Sequence, residues 1–159
     1  MSLDAEVTLT SASGVRTVAL ADYYLGYKQD VRNCDELISA IAWSRLPVAS
    51  DNRFYKLARR VGDAITVTGV AVTLTAKGGK CTRARIALGA VAPTVFCARR
   101  AEAMLQGQVL SDDLIAAAAR QARNDCDPID DVRASADYRA HTVEMLTRRL
   151  LSQCRDTLA

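Results

Sequence analysis

Two β-branched segments joined by a pair of glycines constrain the fold of this chain more than any other feature. Residues 64–75 are rich in valine and threonine, and residues 81–88 alternate between polar and apolar side chains. Between them, Lys77-Gly78-Gly79-Lys80 supplies two glycines, the residues that a tight hairpin turn with positive φ angles favours. The sequence therefore predicts an antiparallel β-hairpin near the middle of the chain.

Further strands are predicted in the first third of the chain. Glu6–Thr10 and Val15–Ala19 both alternate and flank a Ser-Ala-Ser-Gly turn, which predicts a second hairpin. Glu36–Trp43 is interpreted as a strand that ends before Pro47, although its run of aliphatic and small residues leaves a helix open.

A polar stretch between these strands is the best candidate for an internal boundary. Lys28–Asp35 follows the aromatic segment Asp22–Tyr27 and precedes the third predicted strand. We therefore expect residues 1–33 to end one domain and residues 34–155 to form another.

The rest of the chain has helical periodicity. Arg99–Gln106 predicts a short helix with Gly107 just past its end, and Ser111 is suited to cap the next helix. Between Asp131 and Cys154, apolar residues recur at spacings of three and four, which predicts a last helix with one packed face. The residues of this stripe are Val132, Ala136, Ala140, Val143, Leu146 and Leu150. Strands followed by helices predict an α+β fold, an antiparallel sheet of three to four strands packed against a three-helix layer.

Composition and charge exclude several classes of function. The 159 residues are 50% apolar and 25% charged, which is typical of an ordinary folded domain. The formal charge of +3 is too small to indicate binding to nucleic acid or to an anionic membrane. No apolar run approaches the roughly 20 residues that a membrane span needs, and Met1–Asp4 has no signal-peptide features, so we expect a cytoplasmic protein.

Motifs for autonomous catalysis and for metal binding are missing from the sequence. His141 is the single histidine, and no nucleophile elbow, zinc-protease motif or P-loop occurs. The five cysteines have no CxxC spacing, so buried free thiols are expected. We therefore predict no catalytic residue and no metal ligand in this chain.

A short basic segment before the central hairpin is the first candidate site. Lys56, Arg59 and Arg60 lie within five positions, and Asp63 follows closely. One interpretation is a solvated basic turn. If the segment is helical, Lys56 and Arg60 share one face and can act together on an anionic or electron-rich ligand.

The start of the last helix is the second candidate site. Asp130 and Asp131 are suited to cap the helix and to complement its dipole. Arg133 and Arg139 then remain free to contact another domain.

Several motifs together resemble the flavoprotein subunit of molybdenum hydroxylases, a family that includes carbon monoxide, xanthine, aldehyde and nicotinate dehydrogenases. They follow the family's order over about 100 positions, and they match the C-terminal half of its FAD subunit. These motifs are Phe54–Arg60 with Gly62-Asp63, Ala84–Gly89 with Ala92-Pro93, Arg100-Ala101-Glu102 with Leu105 and Gly107, and Asp131-x-Arg133-x-Ser135-Ala136-x-Tyr138-Arg139.

The resemblance implies a C-terminal domain like that of the carbon monoxide dehydrogenase flavoprotein, which closes over the flavin and contacts other subunits. It implies that Lys56, Arg60 and Asp63 face the flavin. Residues 1–33 then resemble the tail of the preceding FAD-binding domain. Family chemistry carries electrons from a molybdenum cofactor through iron–sulfur clusters to FAD and on to an outside acceptor.

The same resemblance implies the partners of this chain. They are the FAD-binding domain, an iron–sulfur subunit with 2Fe-2S clusters and a molybdopterin subunit. Arg133, Tyr138 and Arg139 are the residues expected to contact a partner or another domain.

One departure from the family is large, because the glycine-rich loops that hold the FAD pyrophosphate have no counterpart in this sequence. We therefore expect a fragment, an engineered piece, or a subunit whose FAD-binding half is encoded elsewhere. The chain alone is expected to lack FAD and catalytic competence. The alternative is a stand-alone, non-catalytic interaction module that keeps the fold.

Overall fold

A computed structural model describes residues 1–60 and 65–159 of the protein. Its strands are β1 (Glu6–Ser11), β2 (Gly14–Ala19), β3 (Tyr24–Gly26), β4 (Gln29–Asp30), β5 (Leu37–Ala42), β6 (Ser50–Ala58), β7 (Thr66–Lys77), β8 (Lys80–Gly89) and β9 (Phe96–Cys97). Its helices are α1 (Leu20–Tyr23), α2 (Arg99–Leu105), α3 (Asp112–Asp125) and α4 (Ala136–Leu158). No helix in this described part is long and apolar enough to cross a membrane.

The larger sheet is built around the predicted central hairpin, which the structure confirms. Its strand order is β6-β7-β8-β9, and every neighbouring pair is antiparallel. Gly78 and Gly79 form the turn between β7 and β8 with φ angles of 58° and 74°, a conformation that costs other residues strain.

Three helices cover one face of this sheet, as the fold prediction expected. Val70, Val72, Ile86 and Leu88 of the central strands are fully buried against them. Leu146 of α4 joins this core with 9% of its surface exposed. The prediction for α4 therefore holds for the middle of the helix.

The beginning of α4 differs from the prediction. Val132, placed in the packing stripe by its spacing, is 93% exposed because the helix begins only at Ala136. The N-cap is Ser135, whose hydroxyl accepts a hydrogen bond from Tyr138 N at 3.2 Å. Of the two predicted capping residues, Asp130 accepts a hydrogen bond from the first helical amide, Ala136 N, at 2.6 Å. Asp131 does not cap the helix, since its carboxylate is held by two arginine side chains and by the amides of Arg133 and Ala134.

The helix signals around α2 and α3 are confirmed. Gly107 follows α2 with a φ of 78°, and its amide donates to the Cys81 carbonyl. Ser111 caps α3 by accepting a hydrogen bond from Leu114 N at 3.2 Å. The hydrogen bond from Gly107 to Cys81 holds the end of α2 beside the start of β8.

A second, smaller sheet has the strand order β2-β1-β5. The predicted first hairpin forms β1 and β2, and the predicted third strand is β5, which pairs antiparallel with β1. Val7 and Leu9 of β1 are buried against Tyr23. Because β5 completes this sheet, the chain up to Ala42 belongs structurally with the first hairpin.

Thiols in the chain are free but not uniformly buried. Cys81 and Cys154 are buried, and burial raises the pKa of Cys154 to about 12. Cys34 is exposed, which differs from the expectation of a buried thiol.

Candidate functional site

The described part of the basic segment, up to Arg60, is not helical. Residues Ser50–Ala58 form strand β6, and Arg59 and Arg60 lie in the bend that follows it. Nine residues of backbone pairing with β7 decide this outcome, because a whole ladder of hydrogen bonds outweighs a local charge pattern. The conditional prediction of a helical face shared by Lys56 and Arg60 is therefore wrong.

The strand places Lys56 on the sheet face that the helices leave uncovered. Leu57 packs against the core, so the side chain of its neighbour Lys56 lies on the opposite face. Lys56 is exposed and pairs directly with Gly69 of β7. Phe54, on the same face, is 65% exposed.

This uncovered face holds a groove with a floor of small residues. Gly69 pairs with Gly89, and Ala71 pairs with Ala87 in the next row of the same face. These four residues form what we call the small-residue floor. Together with Phe54 they line an open groove of about 430 Å³, which also contacts Met1, Ser2, Thr66, Ala90 and Val95.

The two glycines of the floor are not required by the packing of the chain itself. A Cβ at Gly69 would meet its nearest neighbour, Thr66 Cγ2, at 3.7 Å, and a Cβ at Gly89 would meet Val95 Cγ2 at 3.6 Å. Both distances are ordinary van der Waals contacts. Glycine inside a strand often marks a place where a ligand or another backbone approaches closely, and bare backbone allows a flat group to do so.

The other residues predicted to face a flavin are only partly placed. Arg60 is exposed in the bend after β6, beside the same end of the sheet. Asp63 lies outside the described residues, so its predicted role stays a prediction.

Two of the residues predicted to contact a partner lie on the surface. Tyr138 is 50% exposed, on the first turn of α4. Arg133 is also exposed, although its guanidinium forms an ion pair with Asp131. Both remain accessible to another domain.

Arg139 is a correction to the sequence interpretation, because only 3% of it is exposed. Its Nη1 donates to the carbonyls of Val67 at 2.7 Å and Ala90 at 2.9 Å, and its Nη2 donates to Asp131 Oδ1 at 2.7 Å. A buried guanidinium needs such partners, since an unpaired charge inside a protein is costly. Arg139 thus makes hydrogen bonds inside the chain and is not free to contact another domain.

Asp131 is the acceptor that joins both arginines. Hydrogen bonds from the Arg133 side chain and backbone, and from Arg139, hold the pKa of Asp131 far below its usual range. The carboxylate therefore stays ionised throughout the range in which proteins are normally handled.

Sequence reasoning missed the groove, although a signal for it existed. Gly69 and Gly89 are isolated glycines within segments of strand character, a pattern that indicates a bulge or a close approach. The pairing of Gly69 with Gly89 depends on the hairpin register and is not visible in either segment alone. The fold and this groove together define a class, an α+β domain with one sheet face open to a ligand or to another domain.

Comparison with known proteins identifies the family within this class. Residues 53–154 match the family model described as CO dehydrogenase flavoprotein C-terminal domain. The chain belongs to this family, as the resemblance of its motifs predicted.

Relatives and solved structures agree with this assignment. The chain is 34% identical to the carbon monoxide dehydrogenase medium chain of Afipia carboxidovorans, over 96% of this chain and 53% of the relative. It is 26% identical to a putative xanthine dehydrogenase FAD-binding subunit of Escherichia coli, over 94% of this chain and 52% of that protein. A carbon monoxide dehydrogenase structure from Hydrogenophaga pseudoflava superposes with a TM-score of 0.92 and 31% identity, over 96% of this chain and 53% of that one. The chain thus spans about half the length of the proteins it matches.

Proposed function

We propose that this chain forms the C-terminal part of the FAD subunit of a molybdenum-dependent hydroxylase or dehydrogenase, where it covers the flavin and contacts the partner subunits. The observation that carries the proposal is the groove on the uncovered sheet face, with its small-residue floor and the neighbouring cation of Lys56. The family membership supplies the cofactor, FAD, while molybdopterin and 2Fe-2S clusters belong to the partner subunits.

The residues present fit the ring end of this cofactor. A floor of glycine and alanine lets a planar ring approach the sheet closely, and Phe54 adds an exposed aromatic wall. The chemistry that FAD supplies in this family is transfer of electrons from iron–sulfur clusters to an outside acceptor. The part of this chain is to bind and orient the ring and to shape its electrostatic environment.

Lys56 contributes the electrostatic part of that role. Its ammonium group is exposed on the groove side of β6, and a cation near the ring favours the reduced, anionic form of a flavin. Asp63, if it faces the ring as the resemblance implies, would oppose this effect.

The pyrophosphate end of FAD does not fit this chain. Tight binding of a pyrophosphate needs clustered backbone N–H groups in glycine-rich turns, and Gly78-Gly79 is the one adjacent pair among the eight glycines of the sequence. That pair forms the tip of the β7–β8 hairpin, whereas Gly69 and Gly89 of the groove lie at the other end of these strands. We propose that the FAD-binding half supplies these contacts.

The smaller sheet offers a surface on which such a half can dock. Leu37, Ile38 and Ile41 of β5 are 72%, 46% and 55% exposed, and the following Trp43 is 59% exposed. Exposed apolar patches of this kind mark interaction sites. The relatives contain about twice the length of this chain, so we propose their additional half as the occupant.

We also propose a later boundary than the predicted one at residue 33. The small sheet, which includes β5, would end the FAD-binding domain, and the C-terminal domain would begin between Ala42 and Ser50. Arg133 and Tyr138 would then contact a partner subunit from the start of α4.

Flavin binding by the chain, alone and completed, tests the proposal. The purified chain is expected to be colourless and to show no saturable FAD binding at micromolar concentration in equilibrium dialysis. Addition of the FAD-binding half of a relative, as a second polypeptide or as a fusion, is expected to give a yellow complex with stoichiometric FAD. Stoichiometric FAD on the chain alone would contradict this division of labour, and a completed subunit without FAD would favour the interaction-module alternative.

The role of Lys56 is tested in the completed subunit, which is this chain combined with the FAD-binding half of a relative. Lys56→Ala is expected to lower the flavin reduction potential without a comparable loss of stability, because the change removes a cation from the ring side. Lys80→Ala is the matched control, since Lys80 is also an exposed strand lysine but lies at the hairpin tip, next to the turn. Equal flavin reduction potentials for Lys56→Ala and Lys80→Ala would show that Lys56 is a solvated surface residue without a role at the flavin.

A further inference from the structure

The segment between α3 and α4, residues 126–135, is hydrogen-bonded to the loop after β8 and to the bend after β6. The amide of Asp127 donates to the carbonyl of Val91 at 2.9 Å, in the loop that follows β8. On the other side, Arg59 Nη1 donates to the carbonyl of Val132 at 3.2 Å, just past the end of β6. We call this segment the α3–α4 connector.

Arg139 and Asp131 add further hydrogen bonds to this group, because Arg139 of α4 binds both Asp131 of the connector and two backbone carbonyls near the groove. The two carbonyls that Arg139 Nη1 holds belong to Val67, next to the groove residue Thr66, and to Ala90, which itself lines the groove. These carbonyls are more than twenty positions apart in sequence, one on β7 and the other in the loop directly after β8. One guanidinium group therefore bridges the two chain segments just beyond Gly69 and Gly89, the last residue pair between β7 and β8.

The backbone conformation at Ala90 shows that the loop after β8 is constrained. Ala90 has a φ of 64°, a left-handed conformation that residues with a Cβ adopt only when their surroundings enforce it. Its neighbour Gly89 is part of the small-residue floor. The carbonyl that Arg139 holds at Ala90 is therefore one residue away from the floor.

We propose that Asp131 and Arg139 are positioning residues for the groove. They hold its two edges, the start of β7 at Thr66 and Val67 and the loop after β8 at Ala90, in the geometry that a bound flavin requires. This inference rests on the function proposed above. Arg139 does not face the groove, so it acts through Val67 and Ala90. Asp131 orients the guanidinium and joins it to the α3–α4 connector, which also holds Arg59, three residues beyond Lys56.

The chemistry of arginine suits this role better than that of lysine. A guanidinium presents several N–H donors in a rigid plane and can serve two carbonyls and a carboxylate at once, whereas an ammonium is a single point on a flexible stem. Buried ion pairs are weak contributors to stability compared with apolar packing, but they can specify geometry. Arg139→Lys therefore keeps the positive charge but removes the planar set of N–H donors.

The first test measures hydrogen exchange in the chain itself, without flavin. Arg139→Lys is expected to accelerate exchange of the Asp127 amide, which donates to Val91, and of amides at the paired ends of β7 and β8, residues 66–69 and 87–89, about tenfold or more, since at least one charged hydrogen bond is lost beside them. Leu150→Ala is the matched control, because Leu150 is buried in α4 about 16 Å along the helix from Arg139. It is expected to weaken the core without a selective effect on these amides.

The second test measures the flavin in the completed subunit. Arg139→Lys and Asp131→Asn are expected to shift the visible spectrum and the reduction potential of bound FAD, whereas Leu150→Ala shifts neither. Asp131→Asn is included so that the inference can be judged if Arg139→Lys does not fold.

Each outcome decides one of the two claims. Equal exchange in Arg139→Lys and Leu150→Ala, or equal flavin spectra and potentials, would overturn the positioning role. If the unaltered chain, joined with an FAD-binding half, binds no FAD, the proposed function and the flavin role of Arg139 are both overturned. The exchange data would still decide whether Arg139 holds the two edges of the groove.

Discussion

The packing of α4 on the large sheet can be tested by one core truncation, Leu146→Ala. Leu146 lies in the core cluster with Val70, Val72 and Leu150, and 9% of its surface remains exposed. Leucine-to-alanine changes in protein cores cost about 2–5 kcal/mol, with the larger costs where a closed cavity remains. Because the exposed edge of Leu146 lets the site relax, we expect a loss of about 2–3 kcal/mol.

The assay is urea unfolding followed by circular dichroism. The midpoint should fall while the slope with urea stays constant, since the surface exposed on unfolding does not change. The melting temperature should fall by about 4–12 °C, given the roughly 2–4 °C per kcal/mol of domains this size. Arg148→Ala, an exposed change two residues further along the same helix, should stay within about 0.5 kcal/mol. A loss below about 1 kcal/mol for Leu146→Ala, or equal losses for both variants, would refute the packing argument.

Three further predictions concern local structure. Hydrogen bonds, chiefly from Arg16, hold the pKa of Glu36 at about 2, below its ordinary value of 4.5. The ionised carboxylate therefore stabilises the fold fully above about pH 4.5, and this stabilisation is lost as the pH falls towards 2. Glu36→Gln should therefore flatten the pH dependence of the urea midpoint in that window, and an unchanged slope would contradict the ion pair. Gly79→Ala should destabilise the chain by about 1 kcal/mol or more, because φ is 74° there, and a neutral result in thermal unfolding would show that the turn adopts another conformation. Ser135→Ala should cost about 1 kcal/mol through loss of the α4 cap, whereas Ser135→Asp should retain most of it in the same assay.

Local signals in the sequence were sufficient for much of the fold. The Gly78-Gly79 turn and the caps around Gly107 and Ser111 follow from conformational preferences of single residues, so they can be predicted without knowledge of the surroundings. The family resemblance was also readable, because its motifs occur in order over most of the chain.

The features that failed depend on partners distant in sequence. The basic segment around Lys56 forms a strand because β7 is available to pair with it, which its own charge pattern does not reveal. Arg139 is buried because Val67 and Ala90 present carbonyls to it across 72 and 49 positions of chain. The groove depends on the register of β7 against β8, and a register cannot be read from either strand alone.

Strand β5 has a consequence for how this chain behaves in solution. It lies at the edge of the small sheet, and its six residues Leu37–Ala42 are exposed and contain neither a charge nor a proline. Edges of this kind are templates for pairing with further copies, and charges or prolines are the devices that normally prevent it. Without a companion polypeptide over β5, the chain is therefore expected to form colloidal aggregates as its concentration rises. Co-expression with that companion, or the substitution Ser39→Lys, should keep it monodisperse in light scattering.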